Sequence, residues 1–336
     1  MRKFYSVVLL SVMLLGMLTA CSGGMDAENT DEGVTLRLAH NQNEKHPVHK
    51  SLVEFSELVK EKTNGQVKIK LYPNGQLGSE REVIELTQTG AVDIAKVSAS
   101  ALESFEEVYS IFSVPYLFDN KEHYYKVMDS GIAKEIYQST KDIGFIGLTW
   151  YDAGSRNFYT KNTPIMKPED LNGLKIRVQP SQTVIRMVEL MGGAPTPMAY
   201  GEVYTAIQQG VIDGAENNVT ALTNSKHGEV AKHFSFDEHS FVPDTLIMNL
   251  SKWDKLSDEQ KKAVTEAAKE STEYHKKVWA KAVKHSIEKA KKMGVHFYYP
   301  EKEPFQIAVK PLHEKFAKQP STAEYYKRIR GMAKDK

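Results

Sequence analysis

The residues best suited to chemistry are cations placed where strands end. In "GLKIRVQPS" (Gly173–Ser181), Leu174, Ile176 and Val178 alternate as a strand between Gly173 and Pro180. Arg177 breaks that pattern just before the strand stops. A guanidinium stays charged, so burying it demands a partner. The nearest acids in sequence, Glu169 and Asp170, precede the strand, and Glu189 lies well into the helix that follows. An acid distant in sequence could pair with Arg177 internally. A charge at a strand end facing a cleft is better suited to an incoming anion, and a planar carboxylate fits the fork in bidentate fashion. Arg156, in "WYDAGSRNFYT", is a second cation of the same kind.

Other polar residues share the strand-end position. His40 and Asn41 close the first strand, Lys96 and Ser98 follow "AVDIA", Tyr200 follows "PTPM", and Glu216 and Asn217 end "VIDGAEN". In parallel α/β sheets, ligands bind beyond the carboxyl ends of the strands. Each residue also has a plainer role: turn formation for Asn41 and Asn217, a cap for Ser98, a solvated end for Lys96, a half-buried ring for Tyr200.

The elements that must position these groups follow from hydrophobic period. "TLRLAH" and "QVKIKLYP" alternate as strands, separated by a helix with Leu52, Phe55 and Val59 on one face and Gly65 as its stop. Ser79 and Glu82 form a capping box for a second helix closed by Gly90, and "AVDIAKVSA" is the next strand. The same rhythm returns from "LKIRV", through a helix capped by Ser181, the extended "APTPM" and a helix closed by Gly210, to "VIDGAEN". Both runs imply parallel strands with crossover helices. "ELTQTGAVDIA" and "TAIQQGVIDGA" look like one helix–Gly–strand corner used twice, which favours two similar α/β lobes over one large sheet. From a capping box at Ser257 a helical pattern runs on towards Gly294, about 50 Å at the α-helical rise and long enough to lie along both lobes.

The first 21 residues, "MRKFYSVVLLSVMLLGMLTAC", read as an export leader, with Arg2 and Lys3 before a short apolar run. Its end, Leu18-Thr19-Ala20-Cys21, resembles a bacterial lipobox. Residues 1–20 are thus expected to be a lipoprotein signal peptide and Cys21 a lipid anchor to the outer face of the cell membrane. Residues 21–33 are small, polar and acidic, as in a flexible tether. Cys21 is the only cysteine, so no disulfide forms within the chain and no thiol nucleophile exists in the body. The net charge of +1 becomes −1 once Arg2 and Lys3 are removed, and no basic stripe suggests nucleic acid. There is no dinucleotide fingerprint, phosphate loop, nucleophile elbow or zinc-protease motif. His46 and His49 could be half a metal site, but with no third ligand nearby a solvated helix end is the expectation. His275 and His285 are expected on the solvated face of the long helix. No metal or cofactor is expected.

Taken in order, "NGQLGSEREVIE", "IFSVPYLF", "GLKIRV", "GAPTPMAYGEVYTAIQQGVIDGAEN" and "LSDEQKKAVTEAA" resemble the substrate-binding proteins of TRAP transporters, the DctP-type family. The resemblance covers the chain from about Leu36 onward. It implies two α/β lobes around a ligand cleft, joined by crossing segments and a long spanning helix, closing on an organic anion for membrane permease subunits. On that plan lobe I takes residues 34–153 plus about 241–280, and lobe II takes 154–240 plus about 281–336. The family's carboxylate anchor falls on Arg177, its second arginine on Arg156, its signature asparagine on Asn217 and its aromatic on Tyr200. Two departures stand out: Ala215 where the family often has Gln, and Asn218 where Pro is frequent.

The rest of the wall is expected from His40, Asn41, Glu80, Lys96, Ser98 and His239. Such a mixed polar set suits the hydroxyls of a sugar acid, and a hexuronate such as glucuronate or galacturonate is the expected ligand, with four-carbon dicarboxylates second. A surface enzyme using His40 or His239 as general base, and a sensor subunit presenting its ligand to a receptor, are the remaining alternatives.

Overall fold

In a computed structural model of the chain, residues 33–333 are described. The leader, Cys21 and nearly all of the expected tether lie outside them. The described chain opens with β1 (Val34–Ala39), α1 (Pro47–Lys62), β2 (Val67–Tyr72), α2 (Glu80–Thr89) and β3 (Ile94–Ser98). β1 pairs in parallel with both β2 and β3. The chain then leaves this sheet through β4 (Phe145–Tyr151), and after Asp152-Ala153-Gly154 enters a second sheet as β5 (Ser155–Thr160).

The second unit repeats the first: β6 (Lys175–Val178), α3 (Gln182–Leu190), β7 (Ala194–Pro197), α4 (Val203–Gln209) and β8 (Gly214–Asn217), with β6 parallel to β7 and β8. β9 (His233–Phe241) completes the outward path. After Val242-Pro243 the chain returns to the first sheet as β10 (Asp244–Asn249). The sheets have the orders β2-β1-β3-β10-β4 and, with β11 (His296–Tyr298), β11-β9-β5-β8-β6-β7.

The doubled corner is a real repeat of construction. α2 and α4 both end on a left-handed glycine, Gly90 (φ 79°) and Gly210 (φ 74°), the conformation that closes helices and that glycine adopts without strain. Three residues later an aspartate grips the neighbouring strand. Asp93 Oδ2 accepts from the Arg37 amide at 2.7 Å, and Asp213 Oδ2 accepts from the Lys175 amide at 2.8 Å.

Within both βαβαβ runs the strands are parallel, as their rhythm implies, while the crossing strands are not: β10 runs antiparallel to β3 and β4, and β5 runs antiparallel to β8 and β9. Both sheets point the carboxyl ends of their parallel strands at the gap between them. A strand that crosses the gap must therefore enter the other sheet backwards. This puts the first residues of β5 and β10, which include Arg156 and Asp244, on the cleft side.

The long helix α5 (Asp258–Lys292, 35 residues) starts at a Ser257–Gln260 capping box. Its first half buries Val264, Ala267 and Ala268 in the core of the first sheet, and its second half packs Ala290, Val283 and Ile287 on the second. Between them a polar band fastens α5 to β4: Ser271 Oγ lies 2.9 Å from Tyr151 Oη, and Thr272 Oγ1 donates to the Trp150 carbonyl. His275 belongs to this band, not to a solvated face. It is fully buried, its Nε2 lies 2.8 Å from the Asp152 carbonyl, and its Nδ1 lies 2.9 Å from Ser51 Oγ. A charge-rich helix hid the contact face that crosses the strand. His285 is exposed.

Candidate ligand-binding site

The carboxyl ends of β1, β3, β6 and β8, and the first residues of β5 and β10, surround one narrow cavity of about 40 Å³. Arg177 reaches it from β6. Its Nε and Nη2 both donate to the Met198 carbonyl, at 3.1 and 2.9 Å, and its guanidinium carbon lies 5.8 Å from the Tyr200 ring centroid. No carboxylate lies within ion-pair distance of it among the described residues. Burial lowers its pKa; the Glu216 charge opposes that shift and the neighbouring Arg156 adds to it, leaving the pKa lowered.

Arg156 is in the opposite condition. Its Nε and Nη2 fork onto Glu216, at 2.5 Å and 2.8 Å, and Nη1 donates to Asn217 Oδ1 at 3.2 Å. Behind Glu216 stands His239, with Nδ1 2.7 Å from Asp237 Oδ2 and Nε2 3.4 Å from Glu216 Oε2. Burial alone would strip the proton from that imidazole, but the two carboxylates outweigh it and raise the pKa to about 9. Burial likewise opposes the Glu216 charge, yet Arg156 and His239 hold its pKa down to about 2. This wall thus carries Arg177, Arg156 and His239 against Glu216 and Asp237, a surplus of one positive charge.

The facing wall is built around Lys96, which is almost wholly buried on β3. Its Nζ lies 3.2 Å from Asp244 Oδ2, 3.6 Å from Glu80 Oε1 and 3.2 Å from Asn41 Oδ1. Burial disfavours the ammonium, but Asp244 and Glu80 outweigh it and raise the pKa. Glu80 is itself aimed by the Ser98 amide at 3.1 Å. One cation between two carboxylates leaves this wall with a surplus of one negative charge.

Arg177, Arg156, Asn217, Tyr200, Asn41, Lys96, Ser98 and Glu80 all line the cavity. His40 and His239 do not. His40 sits behind Asn41, with Nε2 3.0 Å from His49 Nδ1 and Nδ1 accepting from the Gln42 amide. Burial and the Lys96 charge bring its pKa down to about 3. Neither histidine presents a basic nitrogen to the cavity.

His46 corrects the solvated-end expectation. It is buried, caps α1 by accepting from the Val48 amide, lies 3.3 Å from Thr220 Oγ1, and lines the cavity. Among the described residues no cluster of three or more His, Cys, Asp or Glu is disposed to hold a metal. Gln42, Gln179, Asp244 and Trp279 also line the cavity and carried no signal that the sequence reading used. Asp244 is placed by the antiparallel entry of β10, and Trp279 by the passage of α5 behind the gap. Gln42 Oε1 is buried with no partner in the protein, as expected of an acceptor waiting for a ligand donor.

Two α/β lobes, strand ends converging on an enclosed polar cavity, and an arginine without an internal counterion define a two-lobed solute-binding protein for acids. Residues 38–319 match the bacterial extracellular solute-binding protein family 7, DctP, and the chain belongs to that family. A TRAP periplasmic solute-binding protein from Anaerococcus prevotii, solved with bound α/β D-glucuronate, is 46% identical with a TM-score of 0.87, covering 89% of this chain and 98% of that one. One from Xanthobacter autotrophicus with bound β-D-galacturonate is 38% identical with a TM-score of 0.85, over 88% and 99% of the two chains. The C4-dicarboxylate-binding periplasmic protein DctP of Rhodobacter capsulatus is 29% identical over 92% of this chain and 95% of its own.

Proposed function

We propose that the protein is the extracytoplasmic receptor of a TRAP transporter, that it captures a hexuronate such as glucuronate or galacturonate, and that it hands it to membrane permease subunits. The observation that carries the ligand class is the opposite surplus charge on the two walls. Arg177, backed by Arg156 and Asn217, is left to grip one carboxylate. The Glu80–Lys96–Asp244 wall has carboxylate oxygens to accept hydroxyl protons and no spare cation for a second carboxylate. A four-carbon dicarboxylate, the ligand class of the Rhodobacter relative, would press its second carboxylate against that negative wall. Because the cavity draws on both lobes, an acid that spans it favours the closed state.

Thermal-shift measurements over uronates, aldonates and dicarboxylates test the ligand class. A ligand that binds only the folded state at about 100 times its Kd adds about 2.7 kcal/mol of stability. D-glucuronate or D-galacturonate is expected to raise the melting temperature, while succinate and malate leave it unchanged. A shift confined to the dicarboxylates would overturn the ligand class.

The leader pattern supports a further element of this reading: cleavage before Cys21 and a diacylglyceryl group on its sulfur, tethering the receptor to the outer face of the membrane. Mass spectrometry of the mature chain is expected to show that lipid on an N-terminal Cys21. An unmodified N-terminus at any other residue would refute it.

A further inference from the structure

Beside the cavity, several side-chain contacts cross from one lobe to the other. Ser98 Oγ donates to Gln179 Oε1 (3.3 Å), Asn43 Nδ2 donates to the Asn224 carbonyl (2.9 Å), and His46 Nε2 lies 3.3 Å from Thr220 Oγ1. A further contact beside the cavity is made by a carboxylate. Glu103 ends the short helix Ala99–Leu102 that continues β3. Its carboxylate crosses to the start of α3 in the other lobe. There Oε1 accepts from the Thr183 amide (3.1 Å) and from Thr183 Oγ1 (2.9 Å), and Oε2 accepts from Ser181 Oγ.

α3 is therefore capped twice. Ser181 Oγ accepts from the Val184 amide at 3.2 Å, the cap its own sequence supplies, and Glu103 takes the adjacent orphan amide from outside. A carboxylate at a helix N-terminus also faces the positive end of the helix dipole. Glu103 is only half-buried, whereas Ser181 and Thr183 are buried, so opening the cleft would return three donors and a carboxylate to water together. Ser181 lies four residues beyond Arg177, so the same connection holds both the ligand anchor and this contact.

We propose that Glu103 is a closure latch. It docks on the N-terminus of α3 when the lobes close and sets how much of the protein is closed before and after a ligand arrives. It is absent from the cavity lining, so it acts on the position of the lobes and not on the choice of ligand. A contact made only in the closed state raises the closed fraction and slows release by the same factor for every ligand. This rests on the proposed role in solute capture, but the first arm of its test needs no ligand.

The test compares the parent with Glu103→Gln and Glu103→Ala. Small-angle scattering of the ligand-free proteins is expected to show a larger radius of gyration in both variants. Stopped-flow tryptophan fluorescence with D-glucuronate and D-galacturonate is expected to show release faster by about 10- to 100-fold, the loss of charged hydrogen bonds. The ratio of the two affinities should stay unchanged. Thr183→Val should speed release less, and adding it to Glu103→Ala should change little, because the two sides form one contact. A lower melting temperature with unchanged scattering and release would make Glu103 a static cap and overturn the latch. An altered preference between the two sugars would also overturn it, by placing Glu103 on the ligand.

Discussion

An Arg177→Ala protein is expected to lose about 2–5 kcal/mol of affinity for its acid ligand, the range for removing one partner of a buried charged pair. Its ligand-free fold should be at least as stable as that of the parent. The two halves of this expectation come from one observation: Arg177 is buried, its only hydrogen-bond acceptor among the described residues is the Met198 carbonyl, and burial lowers its pKa. The protein bears the desolvation of that guanidinium with no carboxylate in ion-pair contact among the described residues, and in the proposed function the ligand carboxylate supplies one. Calorimetry measures the first half and ligand-free thermal unfolding the second. Arg177→Lys should fall between, because an ammonium keeps the charge but loses the planar fork. Unchanged affinity in the alanine variant would remove Arg177 from its role as anchor.

Glu216→Gln is expected to do the reverse, damaging the fold before it touches the ligand. Glu216 is fully buried and is the shared counterion of Arg156 and His239. Removing one partner of a buried ion pair costs about 3–5 kcal/mol, because the charges left behind stay desolvated. For a chain of this size that is a fall in melting temperature on the order of 10 °C. Arg156 should also lose its aim, so weaker binding is expected alongside.

The same network sets the pH dependence of stability. His239 has its pKa raised from 6.5 to about 9, so its contribution is complete below pH 6.5 and disappears as the pH rises through 9. Glu216, lowered from 4.5 to about 2, contributes above pH 4.5 and loses that contribution as the pH falls through 2. His40 and His227 are kept neutral, their pKa values lowered to about 3, so the unfolded chain takes up protons first between pH 6.5 and 3. Stability should therefore peak near pH 6.5 and fall on both sides. Unfolding followed from pH 3 to 10 checks this. A melting temperature that does not fall between pH 6.5 and 9 would show that His239 is not held as an imidazolium.

The sequence alone determined the parts of this protein that are local. Capping boxes at Ser79 and Ser257, glycines ending α2 and α4, and alternating strands all act within a few residues, and each forms where its pattern lies. Strand-end position is also local. That is why Arg177, Asn217 and Lys96 are expected at the cleft from sequence, whereas Arg156, at the start of β5, reaches it through the antiparallel entry of that strand.

Only the tertiary structure decided which of those charges is free. Arg156 and Arg177 look alike in sequence, yet Arg156 has a carboxylate partner 60 residues away and Arg177 has only the Met198 carbonyl among the described residues. That difference comes from β5 entering its sheet backwards beside β8, which sets Arg156 against Glu216 and Asn217. The same antiparallel crossing brought Asp244 to the cavity, and the face of α5 that meets β4 buried His275 and brought Trp279 there. Sequence pattern reports how a segment meets water. The energy of a buried charge depends on what stands within a few ångströms of it, and in this protein those neighbours arrive from strands and helices distant in sequence.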